Sequence, residues 1–101
     1  MATRLELQHA LESILGSRNV YFQPPTSTMI QYDAIVYKLK DIYTTHADNL
    51  VYNRTNCYEV IVVYRDPDSD ITRRVMELPM CSFDRHFASE GLNHDVLTLY
   101  Y

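Results

Sequence analysis

At 101 residues the chain has room for one hydrophobic core, and a domain of that size buries roughly 65% of its unfolded surface, enough to be stable without staples. Hydrophobic residues make up 47% and charged residues 22%, the balance of a soluble globular domain, and two glycines with four prolines leave no linker or low-complexity tract. The net charge is −4 and the longest basic run is the pair Arg73-Arg74, which argues against a duplex-DNA binder needing many phosphate contacts on one face.

The first element reads as a helix over 3–15. Thr3 and Glu6 form a capping box, Leu7, Leu11, Ile14 and Leu15 recur at helical spacing, and Gly16 supplies the C-terminal cap. Nothing at this end has the apolar run of a signal peptide, and no stretch reaches the roughly 18 apolar residues of a membrane span. Val20-Tyr21-Phe22 is a short strand, stopped by Pro24-Pro25. Residues 30–43 read as a half-buried strand, with Ile35, Tyr37 and Leu39 on one face and Val36, Lys38 and Lys40 on the other.

From Thr44 to Asn56 the composition turns polar. A connection of that length is usually functional, and either a protruding β-hairpin or a loose loop fits. Residues 57–64, CYEVIVVY, are apolar on both faces and predict a strand in the middle of a sheet. Asp66-Pro67-Asp68-Ser69-Asp70 is a turn leading into a second helix, with Ile71, Val75 and Leu78 on one face and Pro79 as its stop. Two strands follow, 81–88 and 94–101, around a turn at Glu90-Gly91. The expected fold is a two-layer α+β domain spanning 1–101: a mainly antiparallel four- to five-stranded sheet with two helices on one face, the other face carrying tyrosines and mixed polar groups.

Catalytic and metal-binding patterns are weak. Asp84 and His86 would share a face of a regular strand and could pair as an acid-base unit, but a polar sheet face explains them as well. No nucleophile elbow or glycine-rich phosphate loop is present. His46 with Asp48, or His94 with Asp95, could give ligands to a metal only in a site built from several loops. Cys57 and Cys81 each sit in an apolar run and are expected as buried, reduced thiols. The expectation is a non-enzymatic chain without cofactor or metal.

Nine tyrosines are the anomaly. Strand propensity accounts for about half of them; the remainder suit protein interfaces, where tyrosine offers apolar area with a polar tip. The chain runs to Tyr100-Tyr101 inside a strand pattern, and a terminal strand at a sheet edge is expected to associate. The expected interface residues are Tyr43, His46, Asp48, Tyr52, Arg54, Tyr100 and Tyr101, whereas Tyr58 and Tyr64 are expected to be ordinary sheet residues.

Several whole phrases carry a resemblance: residues 20–25 (VYFQPP), 41–49 (DIYTTHADN), 52–55 (YNRT), 65–71 (RDPDSDI), and 81–86 with 93–101. They resemble the tail terminator, or tail completion and tail-to-head joining, proteins of long-tailed bacteriophages. The resemblance implies a small sheet with helices packed on it and no catalytic residues. It also implies a six-fold ring of identical subunits that caps the tail tube and docks on the head connector or neck protein, with DNA passing through the lumen without sequence-specific binding. It places the chain in the virion neck, after assembly in the host cytoplasm, and away from membranes. Adjacent head-side neck proteins of similar length, and a small non-structural partner-binding protein, are the alternatives.

Overall fold

Helix α1, Arg4–Leu15, forms where the apolar stripe predicts it. Leu7 and Leu11 are completely buried, with Ile14 and Leu15 packed beside them. Gly16 ends the helix at φ +80°, a left-handed cap that costs a side chain strain, and its N–H reaches the Glu12 carbonyl at 2.9 Å. The structure is a computed structural model that describes residues 4–25, 27, 29–47, 50–78 and 80–101, with backbone alone for 43–47 and 50–54. Thr3 of the expected capping box and the stop residue Pro79 lie outside the described residues.

Five strands form one mixed sheet: β1 Val20–Phe22, β2 Ala34–Ala47, β3 Leu50–Tyr64, β4 Cys81–Ser89 and β5 Leu92–Tyr100. Their order across the sheet is β1-β2-β3-β5-β4. All pairings are antiparallel except β1 with β2, where Val20, Tyr21 and Phe22 lie beside Ile35, Val36 and Tyr37. Helix α2, Ile71–Val75, carries the chain from β3 to β4. It is shorter than the sequence reading: Met76–Leu78 leave the helix in a turn, with the Leu78 N–H on the Val75 carbonyl at 3.0 Å.

Both helices pack on the same face. Leu7, Leu11 and Val75 close over Ile35 and Tyr37 of β2, Tyr58, Val60 and Val62 of β3, and Leu97 and Leu99 of β5. Each fully buried aliphatic side chain here contributes about 1.5–3 kcal/mol. Period-two alternation makes this set: every second residue of β3 turns to the helices.

Two expectations are corrected. The C-terminal strand β5 is not at an edge; it lies between β3 and β4 and is hydrogen-bonded on both sides. Strand β4 takes the edge instead, because α2 returns the chain to the far side and the Glu90-Gly91 turn brings β5 back inward. That turn has both central residues at positive φ, +55° and +77°, the twist a two-residue antiparallel hairpin needs. The tyrosines also do not gather on the face away from the helices: Tyr37, Tyr58 and Tyr64 are buried on the helix side, at 1%, 3% and 8% exposure. Tyr58 and Tyr64 are core sheet residues, as expected.

Candidate functional site: an arm and an open sheet face

Residues 44–47 and 50–56 of the polar stretch are paired strands of a hairpin rather than a loose loop. Strands β2 and β3 stay paired from Ala34–Val63 out to Ala47–Leu50. Strand β5 accompanies β3 only as far as Cys57, and β1 accompanies β2 only as far as Tyr37. Beyond those points β2 and β3 continue as a two-stranded arm, which gives the molecule its 52 × 27 × 23 Å extents. Among the described strands, none flanks the arm on either side.

The expected interface residues distribute around this arm. Tyr43 and His46 lie on its β2 strand, opposite Thr55 and Val51. Arg54 lies on its β3 strand, opposite Thr44, and Tyr52 is the extra residue where the register shifts between Thr45 and His46. Asp48 lies outside the described residues. Tyr100 and Tyr101 sit at the root: Tyr100 pairs with Cys57, and the Tyr101 N–H donates to the Asn56 carbonyl at 3.0 Å. Tyr101 also packs against the core, so its role is partly structural. On the opposite side of the root, Gln23, Pro24, Val36, Lys38, Leu39, Glu59 and Ile61 line a cleft of about 490 Å³.

The face away from the helices carries a chain of charges. Lys38 Nζ on β2 lies 3.1 Å from a Glu59 carboxylate oxygen on β3. Arg85 on β4 lies 3.8 Å from the other Glu59 oxygen and 3.1 Å from Asp84. The signs therefore alternate from β2 to the β4 edge. Half-buried Val36 and Ile61 lie beside this chain, next to Val96. Phe87, 41% exposed, stacks on His94 with ring centroids 4.6 Å apart. The His94 Nδ1 is buried with no hydrogen-bond partner among the described residues.

The Asp84–His86 pair that a regular strand would allow does not form. The register shifts between Phe83 and Arg85, leaving Asp84 as an extra, bulged residue. That bulge returns His86 to the helix side, opposite Asp95. His86 Nδ1 lies 2.5 Å from one Asp95 oxygen, while the Tyr64 and Thr72 hydroxyls donate to the other at 2.9 and 2.6 Å. Asp95 is only 6% exposed. Burial alone would raise its pKa, but the hydrogen bonds from Thr72, His86 and Tyr64 outweigh that and hold it below the ordinary value. The carboxylate is thus ionised and accepts only, so His86 Nδ1 carries the proton. Tyr64 is pushed up to about 12 by burial and by donating to that carboxylate.

Sequence reading missed this cluster because its members come from β3, α2, β4 and β5. Only the bulge, which a strict alternation conceals, brings His86 round to Asp95. As chemistry the cluster is a clamp: a buried anion satisfied by three donors joins α2 and the β4 edge to the sheet. Cys57 is buried and Cys81 half-buried, both as free thiols, and burial raises Cys81. Among the described residues no three His, Cys, Asp or Glu side chains converge as metal ligands would, and no helix is long and apolar enough to cross a membrane. No model of a known protein family matches the chain, and no curated protein is similar to it.

Proposed function

We propose that the chain is a structural virion subunit that forms a ring, caps the tail tube of a long-tailed phage and joins the tail to the head connector. The observation that carries this reading is the β2–β3 arm. A two-stranded ribbon clear of its core is marginal in water and gains stability when a neighbour covers it. The two outer edges of the sheet are poorly suited to that task. Strand β4 is bulged at Asp84 and charged through Asp84 and Arg85, and β1 is three residues long and ends before Pro24. The unflanked strands of the arm are therefore the natural contact with the next subunit or the tube, and Tyr100 at its root extends that contact. The resemblance of several sequence phrases to tail terminators supports the same reading, and the charge of −4 suits a lumen that DNA slides past.

Negative-stain electron microscopy of the purified protein and of the neck of purified particles tests it. Six-fold rings are expected in at least one of the two samples. A chain that is monomeric alone and also absent from any ring in the particle overturns the proposal.

A further inference from the structure

His86 carries a nitrogen that the Asp95 clamp does not use. Its Nδ1 is held by Asp95, yet its side chain is 47% exposed at the β4 edge, and Nε2 has no partner among the described residues. With the proton fixed on Nδ1, the ring lone pair sits on Nε2. We infer that His86 is an acyl-acceptor site, whose Nε2 takes the acyl group of a neutral, activated ester and passes it to water.

The buried carboxylate is what sets this imidazole apart. Attack on an ester carbonyl puts positive charge on the ring, and Asp95 stabilises that charge through the Nδ1–H. Thr72 and Tyr64 hold the carboxylate in place for it. His9, exposed on α1, pairs with no carboxylate among the described residues, and His94 lies against Phe87 with its Nδ1 buried. As the new C–N bond forms, the carbonyl π pair moves onto oxygen. Its return expels the leaving group with the C–O bonding pair. Water then attacks the acyl-imidazole, the acid departs, and Nε2 recovers its lone pair. The balance is an ester and a water to an acid and an alcohol.

The surroundings select the substrate class. The Asp95 carboxylate beside the ring disfavours anionic donors such as acyl phosphates, and Arg85, which could offset it, is on the opposite face with Glu59. Phe83, the helix-side residue before His86 on β4, is 46% exposed. Met76, one turn after Thr72, is 40% exposed. Both place apolar surface on the same side of the sheet as the imidazole, which favours an apolar acyl group. A single imidazole supplies the nucleophile without a full cradle for the oxyanion, so the leaving group must be a good one, as in an aryl ester or a thioester.

Para-nitrophenyl butyrate, given to the full chain, tests this through nitrophenolate release and mass spectrometry of the protein during turnover. The acyl group is expected on His86 in preference to His9, and hydrolysis should fall about tenfold or more in His86→Gln. Circular dichroism checks that this variant, changed at an exposed edge, keeps its fold. His9→Gln should leave the rate unchanged. Asp95→Asn should lower kcat about tenfold with KM little altered, because Asp95 acts on the ring and not on the ester. If that variant does not fold, His86→Gln decides alone. Acyl groups shared equally between His9 and His86, or a rate indifferent to His86→Gln, overturn the site. Either result leaves the ring reading standing, since that contact lies on the arm.

Discussion

At the scale of single residues, Asp95 is the group on which most depends. It takes three hydrogen bonds from three elements, and each donor would be left unsatisfied without it. The pH dependence follows from the two shifted partners. Asp95 titrates below its unfolded value, so it contributes stability that is present above that value and is lost as pH falls through the folded one. Tyr64 titrates above its unfolded value of 10, so its contribution is present below pH 10 and disappears as pH rises towards about 12. Tyr64→Phe should therefore do two things in urea titrations across pH. It should cost about 1 kcal/mol near neutrality by removing one donor. It should also flatten the alkaline decline, worth about 2 kcal/mol in the native chain. An unchanged slope above pH 10 would show that loss of the Tyr64 proton does not drive the alkaline decline.

At the scale of elements, β4 shows how one extra residue decides a site. Without a bulge, strict alternation from Phe83 would place Arg85 on the helix side and His86 on the open face; the extra residue Asp84 reverses that and gives both side chains their partners. Deleting Asp84 makes the strand regular while keeping Phe83 and His86 on the helix side, so the fold and the His86–Asp95 contact should survive. The melting temperature should shift by less than about 8 °C, the effect of about 1 kcal/mol in a domain this size. Solubility should fall, because the edge loses a bulge and a charge that block strand addition. A collapse of the melting temperature would mean that the bulge sets the register. The same strand marks what the sequence could and could not reveal. Local patterns disclosed α1 by its apolar spacing, the centre of β3 by its apolar run and the turn at Glu90-Gly91 by its residues, since each is governed by neighbours along the chain. The interior place of β5 depends on a crossover through α2, and the Asp95 cluster depends on residues up to 31 positions apart; neither leaves a local pattern. The arm was legible only as a long polar segment, because a ribbon standing off the core has no apolar face to alternate.

At the scale of the whole molecule, the division between globule and arm separates folding from assembly. The core cluster draws on α1, β1, β2, β3, α2 and β5, and its β2 and β3 members run no further towards the arm than Tyr37 and Tyr58. The arm ahead of them should add little to the stability of the globule, since its ladder hydrogen bonds contribute little net and ordering each residue costs about 1–2 kcal/mol. Replacing residues 43–55 by Asn-Gly closes β2 on β3 at the existing Ile42–Asn56 pair with a two-residue turn of the favoured kind. The shortened chain should fold, with a melting temperature within about 8 °C of the parent. It should, however, build no rings and should fail to complete tails when supplied in place of the full chain. Rings from the armless chain would move the subunit contact away from the arm, to the β4 edge or the root cleft beside Pro24, and loss of the fold itself would make the arm part of the folding unit.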